Sequence, residues 1–257
     1  MKSKVYYTVD AVIFGINNVE SDNPRLLPEK KLEVLLTKRT KEPFKDSYVL
    51  PGGYVGEEEV ASTAIQRVLE KETNLKKVYM EHLNVYDDID RDNRGRTISN
   101  TYTALINKND VSYKLSNESK WYEIYLQDCK LILICDNQKI EIIYEKKSLS
   151  KYSNDYEIEV IGKNEIGFDH SKIIVDAYFR LLNKVKNTDL IFSLMPEEFT
   201  IGELKQVYEL LLGKKIFGTS FRRILESKIE KCGKIVKNGG FRPSELYRYK
   251  GEQIWMS

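Results

Sequence analysis

Residues 50–75 read LPGGYVGEEEVASTAIQRVLEKETNL, and this stretch decides the fold. It opens on a Pro-Gly-Gly turn, and residues 57–73 contain neither glycine nor proline. Ala61, Ala64, Ile65 and Val68 recur at helical spacing, which predicts an amphipathic helix over residues 57–73. The stretch therefore predicts a glycine-rich turn that leads into a helix rich in carboxylates.

The spacing of this stretch resembles the Nudix box, a pattern of one glycine, several glutamates and one arginine at fixed intervals. The matching residues are Gly53, Glu59, Arg67, Leu69, Glu72 and Leu75. Val68, Lys71 and Asn74 stand where the pattern has Glu, Glu and Gly. The resemblance implies a Nudix fold, an α/β/α sandwich.

The three replaced positions bear on chemistry, since positions 68, 71 and 72 share one helix face. In an active Nudix enzyme that face carries three carboxylates that hold Mg²⁺, a cation that requires several oxygen ligands. Here Val68, Lys71 and Glu72 sum to zero charge. We therefore predict no catalytic residue, no required cofactor, no Mg²⁺ and only Glu72 as a remnant of the metal site. Lys71 either holds an anionic ligand in place of the cation or pairs with Glu72.

In other segments of the first domain, residues 1–186, apolar residues alternate as in strands or recur at helical spacing. Strands are predicted over residues 5–14, 32–36, 78–86 and 98–106, and a helix over residues 170–182. The sequence of residues 122–165 predicts a β insertion that contains a hairpin. This insertion serves either as a structural elaboration or as a dimer surface. The fold class is therefore α+β.

A second domain is predicted over residues 187–257. Thr200 and Glu203 fit a capping box at the start of a helix that ends near Gly213. The next helix opens at Thr219 or Ser220, and its predicted apolar stripe is Phe221, Ile224, Leu225 and Ile229. Helix, turn, helix and a final β-hairpin are the order of a winged helix-turn-helix domain.

Charge is concentrated in this second domain. Residues 214–250 contain eleven Lys and Arg against three Glu, a net charge of +8, whereas the whole chain carries +2. Such a local excess favours binding to phosphate backbones, although a solvated basic face is the alternative. The predicted DNA-binding residues are Thr219, Ser220, Arg222, Arg223, Lys237 and Arg242.

Composition excludes several classes of protein. No apolar run approaches the roughly 18 to 20 residues that span a bilayer, and the N-terminus has no signal-peptide pattern. The three cysteines, Cys129, Cys135 and Cys232, lack CxxC spacing and are predicted to be free thiols. We therefore expect a cytoplasmic protein with no membrane partner.

Taken as a whole, the chain resembles the NrtR family of Nudix-related transcriptional regulators. The resemblance is carried by residues 8–15, 38–39, 42–45, 50–55, 90–96, 98–99, 168–170, 196–200, 221–223, 242–243 and 246–248. It implies a homodimeric repressor that releases an operator in double-stranded DNA when a ribose-containing metabolite such as ADP-ribose binds, with NAD metabolism as the target. The ligand or interface residues that it implies are Arg39, Phe44, Gly52, Gly53, Arg94 and Arg96. Lys71 joins them as a predicted ligand residue on the charge argument given above. Two departures from the family are the insertion and Phe241, which precedes Arg242 where the family prefers glycine.

Several alternatives stay open at this point. Arg91, Arg94 and Arg96 can instead pair with the aspartates of residues 87–92 and order that loop. The chain can be an active Nudix hydrolase of the ADP-ribose pyrophosphatase type, a sugar-responsive regulator of the same family, or a protein-interaction module. The operator, the effector and the sign of regulation do not follow from the residues.

Overall fold

The computed structural model describes residues 5–19, 27–76, 78–106, 108, 113–149, 156–162, 165–236 and 243–251, without the side chains of Thr219 and Ser220. The strands are β1 Tyr6–Val19, β2 Glu29–Lys38, β3 Tyr48–Val49, β4 Gly52–Tyr54, β5 Tyr79–Tyr86, β6 Thr97–Ile106, β7 Ser119–Gln127, β8 Lys130–Cys135, β9 Gln138–Ser148, β10 Tyr156–Ile161, β11 Ile229–Val236 and β12 Ser244–Tyr249. The helices are α1 Ala61–Thr73, α2 His170–Asn187, α3 Ile201–Leu212 and α4 Gly218–Leu225, with a short 3₁₀ helix at Leu190–Leu194.

In the described residues, ten strands form one sheet around the central strand β1. The order is β10-β9-β8-β7-β2-β1-β6-β5, with β3 paired to β2 and β4 paired to β1. Strands β1 and β6 run parallel, with Tyr6 paired to Thr97 at one end and Gly15 paired to Ile106 at the other. β1 lies in the middle of the sheet because nearly all of its central side chains are apolar and buried.

Alternation along β1 divides the core into two layers. Val9, Ala11 and Ile13 pack toward α1 on one face, whereas Val12 and Phe14 pack toward α2 on the other. Successive strand residues point to opposite faces, so one strand supplies both layers. The predicted α/β/α sandwich is confirmed.

The insertion continues this sheet. Strand β7 begins before the predicted boundary at residue 122 and pairs with β2, joining Thr37 to Ser119. Strands β8, β9 and β10 add to the sheet edge in turn. Among described residues, β10 and β5 are the two edges of the sheet.

The winged-helix part packs against the α2 layer. Leu190, Phe199, Leu204 and Phe221 belong to the same buried apolar cluster as Val12 and Phe14. The predicted capping box is confirmed, because the Glu203 amide donates to the Thr200 hydroxyl and the Thr200 amide donates to the Glu203 carboxylate. Gly213 ends α3 in the left-handed conformation, with φ of 62°.

Two predicted helix bounds are wrong. Helix α1 begins at Ala61 rather than at residue 57, since the Glu59 carboxylate accepts from the Gly56 amide and from Arg67 and holds residues 57–60 in a turn. Helix α4 ends at Leu225, and Ile229 instead begins β11, where it is paired with Tyr249. Ile224, predicted on the apolar stripe, is exposed. Among the described helices, none is long and apolar enough to cross a membrane.

Candidate functional site

A cavity of about 200 Å³ lies where β1, β2 and the β3–β4 turn meet the first residues of α2. Helix α1 and the loop between β5 and β6 complete its wall. We call it the central pocket. Five of the seven predicted ligand residues line it: Arg39, Gly52, Gly53, Lys71 and Arg94.

Phe44 and Arg96 lie outside the lining of the central pocket. Phe44 packs edge-on against the ring of Phe168, with 4.8 Å between centroids. Arg96 donates to the backbone carbonyl of Asp87. The alternative that loop arginines pair with loop aspartates therefore holds for Arg96 with Asp87 and for Arg94 with Asp92. Arg91 instead pairs with Asp169, outside the loop.

One wall of the central pocket combines an aromatic ring with two guanidinium groups. Arg39 Cζ lies 4.9 Å and Arg94 Cζ 5.4 Å from the centroid of the Phe168 ring. Cations favour the face of an aromatic ring. Phe168 adopts a φ of 61°, a conformation uncommon for a bulky side chain.

The two arginines of this wall differ in whether a carboxylate neutralises their positive charge. Arg94 forms a bidentate pair with Asp92 at 2.6 and 3.0 Å, whereas Arg39 Nε donates to the Pro43 carbonyl at 2.7 Å. Burial and then the neighbouring Arg94 lower the pKa of Arg39. A bound anion would relieve that repulsion, and the planar guanidinium fork suits a phosphate group.

The helix face that corresponds to a Nudix metal site holds a cation instead. Lys71 Nζ lies 3.1 Å from Glu72 Oε1, and the Lys71 side chain remains 77% exposed. Glu72 is buried and also accepts from Ser116 at 2.6 Å and Ser119 at 2.7 Å. Burial alone would raise the pKa of Glu72, but these hydrogen bonds and Lys71 outweigh it and lower the pKa. Val68 is buried in the α1 layer of the core.

These donors do not fit Mg²⁺. The ion prefers about six oxygen ligands in near-octahedral geometry. Both carboxylate oxygens of Glu72 are already engaged, one by the hydroxyls of Ser116 and Ser119 and the other by the Lys71 ammonium. Within the described ranges, no group of three or more His, Cys, Asp or Glu side chains is placed to share an ion. Asn74, at the glycine position of the box, has a φ of 58°, which asparagine tolerates, so this substitution preserves the turn.

The floor of the central pocket contains Asp10, which the sequence did not single out, and Arg91, which was predicted only as a possible partner of the loop aspartates. Asp10 is buried, and it accepts from Ser99 at 2.5 Å and lies 3.6 Å from Arg91. Arg91 in turn forms a bidentate pair with Asp169. A Cβ at Gly52 would lie 2.1 Å from an Asp10 carboxylate oxygen, so the glycine permits the close approach of turn and floor. Asp10 could have been noticed as one charge inside the apolar run of β1.

His170 joins this floor to α2 as a structural hydrogen-bonding residue. Its Nδ1 accepts from the Leu50 amide at 2.9 Å, and its Nε2 lies 3.7 Å from Asp10 Oδ1. Nδ1 must be unprotonated to accept, so the proton of the neutral ring is assigned to Nε2. Burial lowers the pKa of His170.

This shift predicts a stability that depends on pH. The native state keeps His170 neutral while the unfolded chain binds a proton below a pH of about 6.5, so the stabilisation is present above that pH and is lost as the pH falls. We expect the free energy of unfolding to fall by up to about 1.4 kcal/mol per pH unit between pH 6.5 and 5.5 through this residue. Urea unfolding at pH 7.5 and 5.5 measures it, with His170→Gln as the control that cannot titrate. An equal pH dependence in both proteins would contradict the assignment.

The second candidate site is the basic surface of the winged-helix part. Arg222 and Arg223 are exposed on α4, and within the described part of the chain neither forms an ion pair. Several other cations of this domain are paired, as Lys228 is with Asp189 and Arg248 with Glu230. The two arginines therefore present positive charge that no described carboxylate neutralises, on the helix predicted to read DNA.

The other predicted DNA-binding residues can be placed only in part. Thr219 and Ser220 lie in the first turn of α4, with side chains outside the described atoms. Lys237 and Arg242 lie outside the described residues, between β11 and β12.

Comparison with known proteins covers both halves of the chain. Residues 25–124 match the NUDIX domain family, and residues 191–249 match the NrtR DNA-binding winged helix domain. The ADPR responsive transcriptional repressor NtrR of Acinetobacter baylyi is 30% identical over 246 residues, which cover 94% of this chain and 81% of that protein.

Two further relatives match the chain over different lengths. The crystal structure of Shewanella oneidensis NrtR complexed with a 27mer DNA superimposes with a TM-score of 0.65 and 28% identity over 95% of this chain and 93% of that chain. The ADP-ribose pyrophosphatase of Methanocaldococcus jannaschii is 33% identical over 112 residues, 44% of this chain and 65% of that enzyme. The predicted order of a Nudix domain and a winged helix is confirmed, and the chain belongs to the NrtR family of Nudix-related transcriptional regulators.

Proposed function

We propose that this protein is a cytoplasmic transcriptional repressor that binds an operator in double-stranded DNA and releases it when ADP-ribose, or a closely related ribose-containing metabolite, enters the central pocket. The genes that we propose it controls are those of NAD metabolism. The observation that carries the proposal is the pair of exposed, unpaired arginines on α4, Arg222 and Arg223. The DNA-bound relative and the ADPR-responsive relative support it.

The charges of the central pocket favour an anionic ligand over a neutral sugar. Arg39 lacks a described carboxylate partner, and Lys71 keeps most of its surface in solvent. A diphosphate offers oxygens to the Arg39 guanidinium, to the N–H groups of Arg94 that Asp92 leaves free and to the Lys71 ammonium. Charge-assisted hydrogen bonds are the stronger ones. A neutral sugar would leave the repulsion between Arg39 and Arg94 unrelieved.

Helix α2 connects the two sites. It begins at His170, on the central pocket, and ends at Asn187. Its 18 residues extend about 27 Å at 1.5 Å per residue. Two residues beyond its end, Asp189 accepts from the Tyr249 hydroxyl at 3.0 Å and pairs with Lys228. A ligand that displaces Phe168 can therefore move a rigid helix that contacts the DNA-binding part.

We further propose that the protein acts as a homodimer and needs no metal. A homodimer matches the two half-sites of a palindromic operator. The pairing of Lys71 with Glu72 and the burial of Val68 leave the helix face without the carboxylates that an Mg²⁺ ion requires.

The rival function is hydrolysis of ADP-ribose, which the similarity to an ADP-ribose pyrophosphatase favours. Loss of one electrostatic group from an active site costs about 100- to 1,000-fold in rate. We therefore expect turnover of ADP-ribose with Mg²⁺ at least about 1,000-fold below that of the Methanocaldococcus jannaschii enzyme in the same assay, since two positions are changed. Chromatography of released AMP measures it, and comparable turnover would establish the hydrolase instead.

A further inference from the structure

Phe217 is the most exposed large hydrophobic residue in the described part of the chain. It is 85% exposed, ahead of Ile89 at 77%, and belongs to neither buried cluster. A single exposed apolar side chain is ordinary on a protein surface. Its place in the chain makes this one informative, because it lies directly before α4, the helix that carries Arg222 and Arg223.

Local structure does not account for a phenylalanine at this position. Phe217 is the N-cap of α4, a position that favours Ser, Thr, Asp or Asn, and its side chain makes no capping hydrogen bond. The following residue, Gly218, faces open space, since a Cβ added there would meet no atom within 4 Å. The backbone at the start of α4, at Gly218, is therefore accessible, with the exposed Phe217 ring directly before it.

The position matches that of base-reading residues in helix-turn-helix proteins. There the N-terminal residues of the second helix contact base edges in the major groove. The apolar group that a base pair presents in this groove is the C5-methyl of thymine, and phenylalanine is among its usual contacts. Arginine, in contrast, pairs with guanine or with phosphate.

We propose that Phe217 is a specificity-determining residue that packs against the C5-methyl group of a thymine in the operator. The inference rests on the proposed DNA-binding function. Phe217 supplies apolar contact and shape, and Arg222 and Arg223 supply charge. The operator accordingly contains a thymine at the position that faces the start of α4.

The test compares thymine with deoxyuridine, which lacks only the methyl group. A duplex is first selected from a random-sequence pool with the full-length protein and is then remade with deoxyuridine in place of every thymine. Fluorescence anisotropy at one fixed salt concentration gives both dissociation constants. Burial of one methyl group changes affinity about fourfold, so the wild type is expected to bind the deoxyuridine duplex about fourfold more weakly per contacted methyl.

Three variants separate the outcomes. Phe217→Ala is expected to bind the thymine duplex several-fold more weakly, to lose the difference between the two duplexes, and to keep the wild-type salt dependence because no charge is removed. Ile143→Ala, an exposed apolar residue in the insertion, should leave both constants unchanged. Arg222→Ala/Arg223→Ala should weaken binding to both duplexes and flatten the salt dependence.

A Phe217→Ala protein that still discriminates thymine from deoxyuridine as the wild type does would overturn the assignment of Phe217 and leave the proposed DNA binding intact. Equal affinity of the wild type for both duplexes would do the same. Failure of the wild type to enrich or bind any duplex would instead overturn the proposed function, and this inference with it.

Discussion

Replacing Arg222 and Arg223 together by alanine is expected to weaken binding to operator DNA by at least about 30-fold, taking about 1–3 kcal/mol for each contact. Both side chains are exposed on α4, whereas Lys228 and Arg248 of the same domain are already paired with Asp189 and Glu230. Each lost phosphate contact also removes one released counterion. The slope of log affinity against log salt should therefore decrease by up to about two. Gel shift and anisotropy titrations at several salt concentrations measure both quantities.

A matched control separates position from total charge. Lys139→Ala/Lys147→Ala removes two exposed positive charges from β9, in the insertion. It changes the net charge by the same amount and is expected to leave affinity within about threefold, since these lysines lie on a strand of the first domain and are already paired with Glu141 and Glu159. Equal losses in the two double variants would mean that net charge, rather than the α4 surface, controls binding.

The second large effect is expected in the central pocket. Arg39→Ala should weaken ADP-ribose binding by about 10- to 150-fold, the range for a hydrogen bond to a charged group of about 1.5–3 kcal/mol. Arg39 lies on the wall with Phe168 and bonds to a carbonyl rather than to a carboxylate. Isothermal titration calorimetry of the full-length protein measures the loss.

Arg223→Ala is the matched control, because it removes an exposed arginine of α4 that lies outside the central pocket. Its affinity for ADP-ribose, measured without DNA, should remain near that of the wild type. If Arg223→Ala and Arg39→Ala lose affinity equally, the ligand does not lie on the Arg39 wall. Titration with arabinose belongs in the same series, and tight binding of the sugar without binding of ADP-ribose would favour the sugar-responsive regulator.

The fold could be predicted from the sequence because its decisive signals are local. The Nudix-like spacing of Gly53, Glu59, Arg67 and Glu72 fixes a turn and a helix, and the Thr200 capping box fixes the start of α3. Such patterns depend on residues a few positions apart, where backbone geometry alone determines which groups meet. The helix ends were less accurate, because tertiary contacts set them.

The residues of the central pocket could be predicted only in part, for a physical reason. Arg94 and Arg96 are two positions apart in one charged loop, and the loop conformation alone decides that Arg94 lines the central pocket while Arg96 bonds to Asp87. Asp10 and His170 are 160 positions apart, and they meet because β1 and the start of α2 border the same cavity. No local sequence pattern predicts the contact between Asp10 and His170.

We propose that the Nudix domain binds its ligand to control DNA binding and does not cleave it. The most direct measurement is the anisotropy of labelled operator bound to the full-length protein as ADP-ribose is added, in parallel with and without Mg²⁺, with AMP assayed in the same samples. We expect the anisotropy to fall to that of free DNA in both series while ADP-ribose is recovered intact even with Mg²⁺. Anisotropy that stays constant at saturating ADP-ribose, or release of DNA only as AMP accumulates with Mg²⁺, would contradict this expectation.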